Sequence, residues 1–405
     1  MGTLVLRCNM EYVKGVPFFC KTKDQIKPYP YLNKDIKTEI LIVGGGIDGA
    51  IANFYLAKNH DVCLVDKSRF GYGSTSVATA LLEYQLDDYA KDLKMLSEDQ
   101  IVKIYNMGLK SIEKMEQFVD MYGNHCEFRK VPSLIYTTSA GGVKALKEEY
   151  EFRRKNDFKA QLFLNESPFE FDMKAGLYCS DGGAEFNPYL FTKQMIEQSK
   201  NQDKMFEFTK IDDICEGKEI VATTNFGHKI HCKKIILATG FNFELMKKKN
   251  LCERVVSYTV VTKPIKDFEI YKNALLQDDV SPYHYIRLLP DKRIMIGGED
   301  APFKEKPISA KRAEKKYKAL VKYIEELFPE LRGRIKIECK FCGCFASTDN
   351  NLGLIGKTES PNVLYLISCG ANGIINAMFG AELLEDIITG TENDMEELFS
   401  PLREE

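Results

Sequence analysis

Three glycines at a spacing typical of nucleotide-binding turns are the first residues in this chain with a clear chemical meaning. Gly44, Gly46 and Gly49 form G-x-G-x-x-G between the apolar run TEILIV and the helix-like run AIANFYLAKN. In such a turn Gly44 permits the tight bend, Gly46 lets the backbone approach a pyrophosphate, and Gly49 lets the helix pack closely on the strand. The helix N-terminus, at Ile47 and Asp48, would offer N–H groups and partial positive charge to phosphates.

An acidic side chain follows at the distance that a dinucleotide site requires. Asp66 ends the next apolar run, DVCLVD, 22 residues after Gly44, where a carboxylate accepts hydrogen bonds from both hydroxyls of an adenosine ribose. This position disfavours a 2′-phosphate. The alternative is a Gly-rich turn of an ordinary α/β protein, with Asp66 as a solvated strand end. FAD and NAD both contain ADP, so these residues do not choose between them.

The elements that must position these residues begin with a βαβ unit from Thr38 onward. A capping box, SEDQ at Ser97, predicts a long helix that ends at Gly123. Pro188 suits the first turn of a later helix, and Gly390 is expected to close the last one.

Strand-like runs cluster in the second half of the chain. EFTKIDDIC, KEIVATTN and HKIHCKKIILATG predict a meander that returns to the main sheet, and residues 254–300 are strand-rich before the amphipathic run PISAKRAEKKYKALVKYIEELF. Residues 1–37 show no helical or strand periodicity, which suggests an arm on the fold. The fold class is therefore α/β with an α+β second domain.

Composition narrows the function to small-molecule chemistry. The chain has 405 residues, which favours two domains, and a formal net charge of -3, which predicts no nucleic-acid partner. No run approaches the ~20 apolar residues of a membrane span. Twelve scattered cysteines indicate reduced thiols and a cytoplasmic location, and the isolated pair Cys342 and Cys344 predicts no metal site.

Four blocks after Thr38 resemble the D-amino-acid oxidase (DAO) superfamily of FAD enzymes, which includes glycine oxidase and sarcosine oxidase. They occur in the family's order: TEILIVGGGIDGAIANFYLA with VCLVDKSRFGYGSTSVATA, then KKIILATGF, then PYHYIRLLPDKRIMIGGED, and last GCFASTDNNLGLIG with NVLYLISCGANGIINAMFGAELLEDII. The resemblance implies FAD as the cofactor. It also implies a Rossmann-like FAD-binding domain interleaved with a mixed, largely antiparallel β-sheet substrate domain.

The resemblance also assigns domains and cofactor contacts. It divides the chain into an arm (1–37), an FAD-binding domain (38–95, 180–250 and 340–395), a substrate domain (96–179 and 251–339) and a tail (396–405). The last helix would point at the flavin pyrimidine ring, where its N-terminus stabilises negative charge on the reduced flavin. The implied FAD-binding residues are Gly44, Gly46, Ile47, Asp48, Gly49, Asp66, Lys67, Ser74, Thr75, Ser76, Ile211, Gly240, Gly370, Asn372, Gly373 and Ile374.

The chain departs from the family at four positions. Phe345 and Ala371 stand where glycine oxidase holds its substrate carboxylate with arginines, so an amine, or a carboxylate bound elsewhere, fits better. Met295 stands near the lysine that promotes reaction with oxygen in sarcosine oxidases, which makes oxygen a poor acceptor. Cys344 lies one place out of register for covalent flavin attachment, and a core cysteine is the alternative.

The third block supplies the catalytic candidates. Side chains alternate along a strand, so either His284 with Ile286, or Tyr285 with Arg287, faces the pocket, and Tyr283 precedes them. His284 would accept a proton from a substrate ammonium, and Arg287 would pair with a substrate carboxylate. The alternatives are a core or surface histidine and a solvated arginine.

The resulting expectation is hydride removal from a C–N bond of a small amine or amino acid, with electrons passed to oxygen or a carrier. Oxidation of a 2-hydroxy acid or polyol phosphate is one alternative. A non-catalytic flavoprotein subunit is another.

Overall fold

The structure is a computed structural model that describes residues 13–21, 27–246, 251–304 and 308–403. The described residues form seven α-helices: α1 (Ile47–Leu56), α2 (Glu98–Tyr122), α3 (Ala140–Lys155), α4 (Pro188–Glu197), α5 (Ala310–Leu327), α6 (Gly373–Thr389) and α7 (Glu396–Phe399). Among these helices, none has the length and apolar character that crossing a membrane requires.

The same residues form twenty β-strands, shared among three sheets. They are β1 (Val13–Gly15), β2 (Ile36–Lys37), β3 (Ile40–Val43), β4 (Val62–Val65), β5 (Leu81–Glu83), β6 (Arg129–Thr137), β7 (Gln161–Leu164), β8 (Ala175–Glu185), β9 (Met205–Phe206), β10 (Ile211–Glu216), β11 (Ile220–Thr224), β12 (Lys229–Cys232), β13 (Lys234–Leu237), β14 (Glu253–Thr262), β15 (Leu275–Asp278), β16 (His284–Leu288), β17 (Ile294–Pro302), β18 (Ile337–Ser347), β19 (Leu354–Lys357) and β20 (Val363–Ile367).

The first sheet has six strands in the order β19-β20-β13-β3-β4-β9. Its neighbours pair in parallel except β19 with β20. The strands β3, β4 and β20 are buried along their whole length, as parallel strands covered on both faces are. This sheet, with α1 and α6 packed on it, confirms the predicted Rossmann-like fold.

A second sheet of four strands, in the order β10-β11-β12-β2, covers the other face of the first sheet. Strands β10, β11 and β12 form the predicted antiparallel meander, and the chain then enters β13 of the six-stranded sheet. The contact is apolar: Ile220, Ala222 and Ile230 pack with Leu41 and Cys63.

The third sheet has ten strands in the order β1-β18-β14-β17-β16-β15-β6-β8-β5, with β7 paired to β8. Only β15 with β6 is parallel among the described pairings, so the prediction of a mixed, largely antiparallel sheet is confirmed. One face packs on α5, where Ile286 and Leu288 meet Tyr317 and Leu320. The other face contributes to the functional cavity.

Two details of the predicted organisation change. The arm contains two strands, because β1 pairs with β18 and β2 pairs with β12. Residues 1–12 and 22–26 of the arm lie outside the described residues. The proposed domain limits at 179/180 and 339/340 fall inside β8 and β18. The division into two interleaved domains stays a proposal, with those limits moved to the ends of the strands.

The predicted helix ends agree with the structure. The Ser97 side chain accepts a hydrogen bond from Gln100 N, and the Gln100 side chain accepts one from Ser97 N, which is a capping box. Pro188 is at the first turn of α4. Gly390 ends α6 in the left-handed conformation, at φ 77°.

Candidate functional site

A cavity of about 440 Å³ is lined by residues of the six-stranded and the ten-stranded sheets. One wall comes from the β3–α1 turn, the end of β4, the segment 238–245 and the β20–α6 turn. The opposite wall comes from β14, β15, β16 and β18, and the segment 72–83 joins the two. Carboxyl ends of parallel strands therefore meet an antiparallel sheet, which is a usual location for a ligand site in α/β proteins.

The glycine-rich turn has the geometry that its sequence predicts. Gly44 has φ +112°, and a Cβ there would lie 2.2 Å from Ala238 O. A Cβ on Gly49 would lie 1.8 Å from Gly44 O, so α1 approaches β3 more closely than any side chain permits. Gly44, Gly46 and Ile47 line the cavity, whereas Gly49 is behind the turn and acts through packing alone.

Two carboxylates beside this turn line the cavity. Asp66 accepts hydrogen bonds from Gly45 N and Ser68 N, both at 2.7 Å, and burial raises its pKa while these bonds lower it. Each carboxylate oxygen keeps capacity for a further donor, such as a ribose hydroxyl. Asp48 accepts from Ser368 Oγ at 2.6 Å, and burial raises the pKa of Asp48 to about 6.

The segment Ser74–Val77 forms a single 3₁₀ turn against α1. Thr75 Oγ1 accepts a hydrogen bond from Ile47 N at 2.9 Å, and Ser74 and Thr75 line the cavity. Ser76 was predicted to contact the cofactor too, but its hydroxyl donates to Gly73 O at 2.8 Å and it is absent from the cavity lining. The Ser76 hydroxyl is therefore used within its own turn, whereas the neighbouring Thr75 faces the cavity.

Three further predicted residues line the same wall. Lys67 and Ile211 do so beside Asp66, and Gly240 does so after β13. Gly240 has φ +58°, and no atom lies within 4 Å of the position where its Cβ would be, so its backbone is open to the cavity.

The N-terminus of α6 reaches the cavity through Gly370, Asn372, Gly373 and Ile374, as predicted. Asn372 ties this turn to β5, because its Oδ1 accepts from Glu83 N at 3.1 Å and its Nδ2 donates to Gln85 O at 3.0 Å.

A carboxylate that the sequence did not single out completes this turn. Asp87 accepts from Ala371 N at 2.8 Å, and burial raises the pKa of Asp87 to about 6. The helix end is thus held by groups of the chain itself.

The orientation of β16 corrects one catalytic candidate. Tyr285 lines the cavity, and so does Tyr283, whereas His284 points to the opposite face of the sheet. There His284 Nδ1 lies 2.7 Å from Asp278 Oδ2, and its ring stacks on Tyr323 of α5 with centroids 3.8 Å apart. His284 is a buried core histidine on the face of the sheet that does not line the cavity.

Arg287 is the second correction. It shares a face with Tyr285, but its Nη1 donates to Thr79 O at 2.6 Å and to Ala80 O at 2.9 Å, and its Nε lies 3.1 Å from Glu185 Oε2. It is absent from the cavity lining. Its guanidinium is therefore committed to the segment that joins the two walls, not to a substrate carboxylate.

The wall formed by the ten-stranded sheet carries Tyr283 and Tyr285, which the sequence singled out, together with polar residues that it did not. We call its cavity-lining polar residues the roof: Ser257, Thr259, Gln277, Tyr283 and Tyr285. Tyr285 Oη lies 3.1 Å from Ser257 Oγ, and burial raises the pKa of both tyrosines.

Acidic groups adjoin the roof. Asp300 lies against Tyr283 and Ser257, its Oδ1 has no hydrogen-bond partner among the described residues, and burial raises its pKa to about 6. Glu83, from β5, also lines the cavity. The basic side chains in the described lining are Lys67 and Lys210, both beside the Asp66 end. The roof itself contributes no Lys, Arg or His within the described part of the chain.

The positions of the family departures are also defined. Phe345, Ala371 and Cys344 line the cavity, whereas Met295 packs in a core with Val261 and Leu289. The residues that stand in place of the expected arginines are thus at the cavity and uncharged. The family resemblance placed Phe345 and Ala371 near the substrate, and the fold brings β18 and the β20–α6 turn together at the cavity.

The first wall fits a dinucleotide. It offers a side-chain-free turn at Gly46, a carboxylate at Asp66 for ribose, and a helix N-terminus at Gly373. Among the described residues no group of three or more His, Cys, Asp or Glu side chains is placed to hold a metal ion.

Comparisons with known proteins agree with this geometry. The family model described as DAO, FAD dependent oxidoreductase, matches residues 39–387. A Bacillus subtilis protein named as a Rieske 2Fe-2S iron-sulfur protein is 23% identical over 98% of this chain and 77% of its own. Gamma-glutamylputrescine oxidoreductase of Escherichia coli is 20% identical over 92% of this chain and 88% of its own. The structure of glycine oxidase from Geobacillus kaustophilus superposes with a TM-score of 0.77, at 18% identity, over 91% of this chain and 99% of the other.

Proposed function

The chain belongs to the DAO family of FAD-dependent oxidoreductases and FAD is its cofactor, and on that premise we propose that it oxidises the C–N bond of a small amine or amino acid. An amine is the better candidate of the two. The gamma-glutamylputrescine and glycine enzymes among its relatives act, by their names, on compounds with such a bond.

The observation that carries this proposal is that the roof residues are polar but uncharged. A substrate carboxylate or phosphate in a water-poor pocket needs a cationic partner, usually an arginine fork. The described roof has hydroxyl and amide groups and adjoins the carboxyls of Glu83 and Asp300 instead. Arg287, the nearest candidate by sequence, is bonded to Thr79 O and Ala80 O. These features favour a neutral or cationic substrate.

The chain's own groups then have defined tasks. Bound FAD supplies a hydride acceptor at its flavin N5. The roof holds the substrate so that its C–H faces the flavin, with Tyr285 and Ser257 as hydrogen-bonding groups. Loss of hydride from carbon, with the nitrogen lone pair forming the C=N bond, would give an iminium ion, which becomes an imine on losing a proton. Water then converts it to a carbonyl compound and ammonia or, from a secondary amine, a smaller amine. The substrate nitrogen must be unprotonated for this step.

Oxidation of a 2-hydroxy acid or polyol phosphate is the alternative within the same architecture. It is disfavoured by the lack of a cation in the described roof, and the substrate screen below decides it. Oxygen and a carrier are the two electron acceptors to be compared. We also propose a cytoplasmic location, because the twelve cysteines are scattered along the chain.

The test is anaerobic visible absorbance of the FAD-loaded protein during addition of amines, amino acids, hydroxy acids and glycerol phosphate. We expect amines to bleach the oxidised flavin band. If hydroxy acids or glycerol phosphate alone bleach it, the C–N proposal is wrong. If the protein holds FAD and no compound bleaches it, a non-catalytic subunit becomes the better description. Admitting air or an artificial dye to the reduced protein then compares the two kinds of acceptor.

A further inference from the structure

Glu83 is a buried carboxylate at the cavity with no assigned role. Glu83 is only 5% exposed and lines the cavity. Its Oε1 has no hydrogen-bond partner among the described residues. Its backbone N donates to Asn372 Oδ1 at 3.1 Å, which holds it beside the N-terminus of α6. Burying a carboxylate oxygen without a donor is unfavourable, so such a group points to a ligand that supplies one.

Arg153, the cation that the chain itself places near Glu83, is bound to other groups. Burial raises the pKa of Glu83, and Gln85, Arg153 and Ser133 lower it, the two uncharged residues by hydrogen bonding. Arg153 is engaged elsewhere, because its Nε donates to Glu149 Oε1 at 2.8 Å and its Nη1 lies 3.0 Å from Cys179 Sγ. Asp87 adds a like charge. The local charge around the Glu83 carboxylate is therefore negative.

A second buried carboxyl, that of Asp300, adds negative charge beside the roof. Asp300 also has an oxygen, Oδ1, without a hydrogen-bond partner in the described part of the chain. Lys316 of α5 acts on it electrostatically, but Lys316 Nζ donates to Glu299 Oε2 at 2.7 Å. Asp87 interacts electrostatically with both Glu83 and Asp300, so Glu83, the one of the three that lines the cavity, belongs to a connected group of carboxyls. A ligand bound there gains most by carrying positive charge.

We propose that the substrate carries a second ammonium group, as a short diamine does, and that Glu83 binds this ammonium while the other nitrogen is oxidised. The inference rests on the proposed C–N oxidation and names its substrate class. The two nitrogens need different environments, because a carboxylate partner keeps an ammonium protonated, whereas the oxidised nitrogen must present its lone pair. Glu83 therefore suits the nitrogen that does not react.

The experiment compares diamines with monoamines of equal length on the FAD-loaded full chain. The probes are 1,3-diaminopropane to 1,6-diaminohexane and propylamine to hexylamine. Apparent Kd comes from the concentration dependence of anaerobic flavin bleaching, and binding without bleaching is measured by calorimetry. We expect the best diamine to bind at least tenfold more tightly than its monoamine, and Glu83→Gln to weaken that diamine about 10- to 100-fold and the monoamine less than about threefold, as loss of a charge-assisted hydrogen bond does.

Glu116→Gln is the matched control, because Glu116 is a surface carboxylate of α2 paired with Lys130 at 3.0 Å. It changes net charge equally, and we expect no effect on either class of amine. Equal affinity of the wild type for diamines and monoamines overturns the inference while leaving C–N oxidation intact, as does a Glu83→Gln effect of equal size on both. Glu83-dependent diamine binding without bleaching supports the cation site and contradicts the proposed oxidation. Should Glu83→Gln fail to hold FAD, the wild-type comparison alone decides.

Discussion

The two walls of the cavity are built in opposite ways. The wall that fits FAD is mostly backbone: Gly44, Gly46 and Gly240 leave the main chain bare, and a single side chain, Thr75, braces the first turn of α1. The roof is mostly side chains, carried by strands that are far apart in the sequence. Backbone contacts suit a ligand shared by a whole family, whereas side chains on a sheet can be exchanged without moving the chain. The first wall thus accounts for binding of the cofactor that the family shares, and the roof accounts for the side chains that are particular to this protein.

The largest expected effect concerns the segment 72–83 that joins the two walls, which we call the seam. In Arg287→Met the carbonyls of Thr79 and Ala80 lose their donor and Glu185 loses one of its partners. Removing one member of a buried ion pair costs about 3–5 kcal/mol. We expect the free energy of unfolding in urea to fall by that amount. The exposed ion pair of Arg334 with Asp267 provides the control, since Arg334→Met is expected to cost less than about 1 kcal/mol. Equal losses in both variants would mean that the seam does not depend on Arg287.

A gain in stability is expected when Asp300, the carboxyl beside the roof, is replaced by a neutral side chain. The pKa of Asp300 is raised to about 6 by burial, so folding is penalised once this carboxyl ionises. Its contribution to stability is fully present below about pH 4 and is lost as the pH rises through 6. Asp300→Asn should therefore match the wild type at pH 4 and exceed it by up to about 3 kcal/mol at pH 8.

Urea unfolding at a series of pH values measures this difference. The surface variant Asp267→Asn serves as the control and should show no such pH-dependent gain. A pH-independent difference for Asp300→Asn would contradict the assigned pKa. Because Asp300 adjoins the roof and not the glycine turn, FAD content should stay unchanged in this variant.

The glycine turn gives the smallest expected loss of stability but a specific loss of cofactor. Gly49→Ala places a methyl group 1.8 Å from Gly44 O, and the resulting shift of α1 costs about 1–3 kcal/mol. We expect the ratio of FAD to purified protein to fall about tenfold or more. Gly73→Ala is matched to it, because Gly73 also borders the cavity and a Cβ there meets no atom within 4 Å. Full FAD content in Gly49→Ala would show that the turn tolerates a shift of the helix.

The cofactor wall could be predicted from sequence because its parts are local. The spacing of Gly44, Gly46 and Asp66 is a property of one βαβ unit, so no knowledge of distant pairing is needed. Two residues of the predicted contact set do not line the cavity: Gly49 packs α1 on the glycine turn, and Ser76 bonds within its own turn. Membership of a motif does not give the direction in which a residue faces.

The roof could not be predicted to the same extent because it depends on which face of each strand points inward. Both faces of β16 are buried, so alternation alone leaves His284 and Tyr285 equally plausible. The decisive fact is the packing of Ile286 and Leu288 on α5, which carries His284 to the same side. Glu83 was missed for a related reason: Leu81–Glu83 is too short to show a period, and its partner strand β8 begins almost a hundred residues later.

The short strand β1 has a consequence for solubility. Val13–Gly15 pairs with Gly343, Cys342 and Phe341 in the middle of β18, the eleven-residue strand at that end of the ten-stranded sheet. An uncovered edge of that length offers a row of backbone donors and acceptors to any other extended chain. Over three of those residues β1 pairs the row with the molecule's own backbone, which shortens the stretch open to another chain. It does so on the same strand that presents Phe345 to the cavity.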